Sequence, residues 1–277
     1  MTYYELTAQL KSIGVDDSES EALLLLSAFF GVSRSDTLLH PAREYDTKLL
    51  SAALSKRALG EPIQYIIGRD SFYNCELKVS PAWLIPRPDT EILCEKVITL
   101  LPPRAHILEL CTGSGCIPIA ILMARADVTC ESVELFADTV SLADENRLLN
   151  GISDERLSII RGDALDYPVS EHISAFDAIV SNPPYIKSDV IPTLSREVLR
   201  EPHAALDGGD DGMIFYRKFL SSYAPMLKPN GFFAFEIGYD QAAPISRLCE
   251  SIGFTCRIYK DYGGNDRTAI IFPRVAK

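Results

Sequence analysis

From His106 onward, short apolar runs alternate with segments of helical spacing, and this limits the fold more than any other feature of the sequence. Strands are predicted at 107–110, 128–133, 157–161, 176–180, 232–237, 255–260 and 269–272, and helices at 117–125, 137–150, 213–226 and 242–252. Helical crossovers between strands give an α/β fold, with a mainly parallel seven-stranded sheet covered on both faces. The last two strands have no clear helix between them, so an antiparallel hairpin is predicted at one edge. Ligands of such a sheet bind beyond the C-terminal ends of its parallel strands. The turns at those ends are therefore where chemistry is expected.

The first seventy residues carry no strand alternation. Helices are predicted at 3–13, at 21–30 with Ser18 and Ser20 as caps and Gly31 as the stop, and at 34–39. Another runs over 46–59 and is closed by Gly60, and a short one opens at Pro62 and ends near Gly68. Such a bundle is either a structural cap or a docking surface for a macromolecular substrate. Residues 72–79 read as a short hairpin or linker pair of strands, and Pro81, Pro86 and Pro88 then stiffen the chain. Asp89 is placed to cap a helix over 90–100. The expected organisation is a helical bundle at 1–71, a β-hairpin linker at 72–86 and the α/β domain at 87–277.

Composition narrows the class. Of 277 residues, 47% are hydrophobic, enough for a sizeable core, but no apolar run is long enough to span a membrane. The N-terminus lacks a basic start followed by an apolar stretch, so a cytoplasmic location is expected. Seven cysteines without a CxxC pair read as free thiols. His40, His106, His172 and His203 show no metal-ligand spacing, so no metal is expected. The formal net charge of −11 fits a neutral or basic protein partner better than stable nucleic-acid binding. A monomer is expected.

The first α/β strand runs into Glu109-Leu110-Cys111-Thr112-Gly113-Ser114-Gly115. Gly113 and Gly115 permit a tight turn and close approach to a ligand. The turn departs from a dinucleotide fingerprint, because Pro118 stands where a third, close-packing glycine belongs. Glu134 and Asp163 end the next two strands, suited to ribose hydroxyls and an adenine amino group respectively. One acid at a strand end is ordinarily a solvated cap, whereas three at successive strand ends point to a ligand. Glu109 would repel a pyrophosphate but suits a cation. A sulfonium cofactor, S-adenosylmethionine, therefore fits better than a nicotinamide dinucleotide.

The fourth strand leads into Ser181-Asn182-Pro183-Pro184-Tyr185. Two prolines fix the backbone there and remove two donors. The Asn182 side-chain oxygen and the Pro183 carbonyl can each accept one N–H of a planar amide or amino nitrogen. That pair would orient a poor nucleophile and stabilise the positive charge that grows on it. Tyr185 can pack against the flat group that bears the nitrogen. A rigid structural turn is the plain alternative.

With Phe72-Tyr73, Leu84-Ile85-Pro86-Arg87-Pro88-Asp89-Thr90-Glu91, the glycine turn, Asn146, Ser181 to Ile186, Glu201-Pro202, Gly208-Gly209, Asp211-Gly212, Glu236-Ile237-Gly238, Gln241 and Asp266-Arg267, the chain resembles the bacterial peptide chain release factor glutamine N5-methyltransferases over essentially its whole length. The resemblance implies a Rossmann-like methyltransferase domain. It also implies S-adenosylmethionine as cofactor, and as acceptor the glutamine of the Gly-Gly-Gln loop in class 1 release factors. It implies that Asn182 and the Pro183 carbonyl bind the glutamine amide; Tyr185 is expected beside them in the catalytic turn, and Pro184 and Arg87 in the substrate site. Glu109, Thr112, Gly113, Ser114, Gly115, Glu134, Asp163 and Asn182 are expected around the cofactor. The helical module is implied to help recognise the release factor.

The chain departs from the family twice. Cys111 replaces a glycine, which calls for an ordinary backbone conformation there, and Glu134 replaces an aspartate. Arg87 either pairs with a carboxylate, positions the interdomain linker or is a plain surface arginine. Glu197 and Glu201 either contact the substrate loop or are helix and turn residues. Glu236 either lines the cleft or pairs with Arg267. Adenine-N6 methylation of DNA or RNA uses the same Asn-Pro-Pro-Tyr turn and is the alternative. A non-enzymatic scaffold and a nicotinamide-dependent oxidoreductase fit the intact turns less well.

Overall fold

The computed structural model describes residues 1–81, 83–168, 173 and 175–273; His172 lies outside them. The chain divides into two compact units. One comprises Met1–Arg69 with Ser195–Arg200, and the other Asp70–Leu194 with Glu201–Lys277.

The first unit is helical: α1 (Tyr3–Ser12), α2 (Ser18–Phe30), α3 (Arg34–Leu39), α4 (Thr47–Ala58) and α5 (Ile63–Ile67). Its core is built from Leu6, Leu10, Leu25, Leu26 and Leu50, which recur at helical spacing. The α2 helix starts earlier than predicted. Ser18 and Ser20 lie inside it, and Asp17 holds the N-cap position without a side-chain cap bond. Arg57 of α4 pairs with Glu21 of α2 at 2.8 Å and with Glu197 at 2.7 Å. Glu197 is thus a partner within the helical unit.

β1 (Arg69–Phe72) and β2 (Cys75–Lys78) form a two-stranded hairpin, which from Asp70 onward belongs to the second unit. Its first strand precedes the predicted start at Phe72, and Phe72, Cys75 and Leu77 join the core. Then come α6 (Thr90–Leu100), β3 (His106–Leu110), α7 (Cys116–Ala124), β4 (Thr129–Glu134), α8 (Ala137–Leu149), β5 (Leu157–Arg161) and β6 (Phe176–Ser181). The chain continues through α9 (Ile214–Ser222), β7 (Leu227–Glu236), α10 (Ala242–Ser251), β8 (Phe254–Lys260) and β9 (Asp266–Pro273). The α9 helix is shorter than predicted, because the chain passes into a 3-10 turn at Ala224–Met226 that accommodates Pro225. Asp89 precedes α6 but makes no side-chain cap bond; it lies 3.8 Å from Arg267.

The sheet has seven strands in the order β5-β4-β3-β6-β7-β9-β8. The first five are parallel, while β9 runs antiparallel to both β7 and β8, giving the predicted hairpin at the edge. Alternate residues feed two cores. Ile107, Ala178, Val180 and Ala234 pack with α6 and α7 on one face, and Leu108, Ile179, Phe233 and Phe235 pack with α9 and α10 on the other. Among the described residues no helix is long and apolar enough to cross a membrane.

Candidate active site

Strand order reverses around β3, whose neighbours β4 and β6 lie on opposite sides. The loops leaving β3 and β6 therefore border the crevice in which such sheets bind ligands. Ser181, the last residue of β6, stands in register with Leu110 and donates its hydroxyl to the Leu110 carbonyl at 2.7 Å. The two turns singled out in the sequence thus leave the sheet side by side.

The glycine turn is held from beneath. The N–H groups of Cys111 and Thr112 both donate to the Val133 carbonyl, at 3.0 and 3.3 Å. Cys111 has φ 62°, so it adopts the left-handed conformation natural to glycine and not the ordinary one expected. The register of the turn imposes that conformation whichever residue stands there. Gly115 caps α7 at φ 81°, and a Cβ there would lie 3.2 Å from Ile119 Cδ1 and 3.4 Å from Ala143 Cβ. It allows α7 and α8 to approach closely, and Pro118 falls in the first turn of α7, where proline is tolerated. Asn146 of α8, fully buried, donates to the carbonyls of Ser114 and Lys78 at 2.9 and 3.1 Å and accepts from the Lys78 N–H at 2.7 Å. One amide therefore ties the glycine turn to β2.

The acids differ sharply in environment. Glu109 is fully buried; its Oε2 accepts from the Thr112 hydroxyl, while its Oε1 has no hydrogen-bond partner among the described residues. Burial pushes the Glu109 carboxyl up to about 8 against the opposing hydrogen bond from Thr112. Glu134 accepts from the Gly113 N–H at 3.0 Å and the Phe136 N–H at 3.1 Å, and Asp163 accepts from the Leu165 N–H at 2.8 Å. Gly113, Glu134 and Asp163 line one cleft together with Cys111, Asn182 and Pro184. The side chains of Thr112 and Ser114 are buried within the turn. Sequence reasoning missed the apolar walls of this cleft: Leu135, Phe136, Leu165 and Phe215. A signal was present, since Leu135 and Phe136 directly follow Glu134, and the structure leaves them 48% and 49% exposed.

The turn at 182–185 is supported by a second loop. Ile186 exchanges backbone bonds with Leu206 and Gly208, at 2.9 and 2.8 Å. Gly208 leaves no room for a side chain, because a Cβ would come within 2.7 Å of Tyr185 Cα. Gln241 Nε2 donates to the carbonyls of Tyr185 and Gly212, both at 3.0 Å, while its Oε1 accepts from the Gly238 N–H at 2.8 Å. The Tyr185 hydroxyl donates to Glu236 Oε1 at 3.2 Å. Burial pushes both the Tyr185 hydroxyl and the Glu236 carboxyl up from their ordinary values. Arg267 is 3.2 Å from Asp261 and 3.8 Å from Asp89, and donates to the Tyr185 hydroxyl at 3.4 Å. Arg87 pairs with Glu201, whose carboxyl burial pushes up against that pairing.

The pattern described as "Methyltransferase small domain" matches residues 88–231, and "PrmC N-terminal domain" matches residues 4–68. The release factor glutamine methyltransferase of Agrobacterium fabrum is 38% identical over 94% of this chain and 92% of its own length. The chain belongs to the release factor glutamine methyltransferase family. The Moorella thermoacetica member is 35% identical over 98% of this chain and 96% of its own. A methyltransferase of Pyrococcus furiosus shares the fold, with a TM-score of 0.54 and 18% identity over 72% of this chain and 88% of that one. The family relation spans both units, so the helical unit is as much a family feature as the two turns.

Proposed function

We propose that this protein transfers a methyl group from S-adenosylmethionine to the side-chain amide nitrogen of the glutamine in the Gly-Gly-Gln loop of class 1 peptide chain release factors. The observation that carries this reading is the Asn182-Pro183-Pro184-Tyr185 turn, which borders the same cleft as Gly113, Glu134 and Asp163 in a chain of this family.

The residues present fit the cofactor. Glu109 Oε1 is a buried carboxyl oxygen without a hydrogen-bond partner among the described residues, and such an atom is costly unless a donor or cation meets it. An ammonium or sulfonium is a suitable partner. Glu134 retains lone pairs for ribose hydroxyls beyond the two backbone bonds it accepts. Asp163 stands ready for the adenine amino group, and the cleft's apolar walls for the base. When bound, the cofactor supplies an electrophilic methyl group. The protein's part is to hold the acceptor nitrogen. The Asn182 Oδ1 and the Pro183 carbonyl accept its two N–H bonds, remove water from it and stabilise the charge it develops. The amide proton becomes acidic only as the nitrogen turns cationic, so no strong base is needed beforehand.

The helical unit serves as a docking surface for the release factor. Arg87, held by Glu201, meets the substrate loop. The enzyme works as a cytoplasmic monomer without stable nucleic-acid binding. The test uses radiolabelled S-adenosylmethionine with intact release factor, its loop Gln→Ala variant, and adenine-containing DNA and RNA. Label in the intact factor alone is the expected result; label confined to nucleic acid would overturn the acceptor.

A further inference from the structure

The amide of Asn182 is useful to an N–H donor in only one of its two flip states, the one with Oδ1 facing the cleft. A hydrogen-bond chain behind the turn selects that state. Asn182 Nδ2 lies 3.4 Å from Thr90 Oγ1, and Thr90 Oγ1 lies 2.5 Å from Glu236 Oε2. Thr90 and Glu236 are each only 1% exposed, so water is kept from the bond between them. The other oxygen of Glu236 takes the Tyr185 hydroxyl at 3.2 Å.

The direction of the chain follows from what each group can do. Both oxygens of Glu236 accept, Oε2 from the Thr90 hydroxyl and Oε1 from the Tyr185 hydroxyl, so the single Thr90 proton goes to Glu236. Thr90 Oγ1 then has only lone pairs to offer Asn182. Nδ2 turns inward to meet them, and Oδ1 turns out. A flipped amide would set Oδ1 against lone pairs and present donors to a donor.

We propose that Thr90 and Glu236 are positioning residues that fix the flip state of Asn182, and that Glu236 anchors both ends of the 182–185 turn. Neither residue touches the acceptor. The inference rests on the reading of Asn182 as the acceptor clamp for an amide nitrogen.

The test compares Thr90→Val, which keeps the shape but loses the hydroxyl, with Thr90→Ser, which keeps the hydroxyl. Methyl transfer to the release factor is measured as kcat and KM, and S-adenosylmethionine affinity by calorimetry. Thr90→Val is expected to lower kcat by roughly tenfold to a hundredfold, the range for a mis-set clamp, with cofactor affinity held within about twofold. Thr90→Ser is expected to recover most of the loss. A serine variant as poor as the valine one would mean that the threonine methyl packs and the hydroxyl orients nothing, which overturns the proposal. So would full activity in Thr90→Val.

A second readout needs no acceptor. The side-chain NH2 of Asn182, followed by 15N NMR, is expected to lose its protection from exchange in Thr90→Val and regain it in Thr90→Ser. Unchanged protection in the valine variant would overturn the relay. If wild-type enzyme failed to label the release factor, the acceptor reading would fall, while the NMR comparison would still decide the relay.

Discussion

At the scale of single residues, buried polar chemistry dominates. Glu109 holds its proton in the folded protein up to about pH 8, whereas its ordinary value is 4.5. A carboxyl raised by folding makes the folded state the tighter proton binder. Its contribution is therefore most favourable below pH 4.5 and is lost as pH climbs to about 8. Denaturant titrations across that window are expected to show stability falling with pH in the ligand-free wild type. Glu109→Gln should flatten that fall; an unchanged slope would place the titration elsewhere. Cys111 offers a second residue-scale case, since its φ of 62° is strained for any residue with a Cβ. The left-handed conformation costs roughly 1–2 kcal/mol, while glycine's extra unfolded-state freedom returns about 0.5–1. Cys111→Gly is thus expected to melt above Cys111→Ala by the equivalent of about 0.5–1 kcal/mol. Equal melting temperatures would show that the turn relaxes at no cost.

Between residues and the whole chain stands the support of the 182–185 turn. The loop carrying Gly208 and Gly212, with Gln241 from the start of α10, holds the Tyr185 backbone from behind. Gly212 has φ 71°, and a Cβ there would come within 2.6 Å of Gln241 Nε2. Gly253 provides the control, with φ 78° and no atom within 4 Å of where a Cβ would stand. Gly253→Ala should lose only the backbone term, about 1 kcal/mol by chemical denaturation, with methyl transfer unchanged. Gly212→Ala should lose more stability, about 2–4 kcal/mol, and in addition lower kcat, because the turn itself must shift. A kcat equal to wild type in Gly212→Ala would detach this loop from the turn.

At the scale of the whole molecule, the helical unit is completed by residues that arrive late. Ser195–Arg200 belong to it, and Arg200 donates to the Leu59 carbonyl across 141 residues of sequence. Arg57 joins the same segment through Glu197 while also holding Glu21. Removing it leaves Glu21, largely withdrawn from water, without its cation. Arg57→Ala is expected to cost about 2–3 kcal/mol in denaturant melts that follow the helical unit. Glu197→Ala, which removes a half-exposed carboxylate, should cost less than about 1 kcal/mol. A reversed order would mean that the late segment, and not the buried pair, secures the unit.

The order and type of nearly every element follow from local sequence. Period-two and period-3.6 patterns are set by which faces are buried, and Arg34–Leu39 and Leu157–Arg161 match their predicted bounds. The glycine turn and the Asn-Pro-Pro-Tyr turn were legible too, because prolines and glycines restrict the backbone through their own covalent structure. What the sequence could not give were properties that depend on neighbours distant in the chain. Cys111 takes a glycine's conformation because β3 and β4 fix the turn between them. Glu109 is neutral near pH 7 because packing removed its water. Glu236 hydrogen-bonds Thr90 and Tyr185, across 146 and 51 residues, while Arg267 pairs with Asp261. Local sequence determines backbone preference over a few residues, whereas burial, charge state and the partner of a polar side chain are decided only when the sheet brings distant segments together.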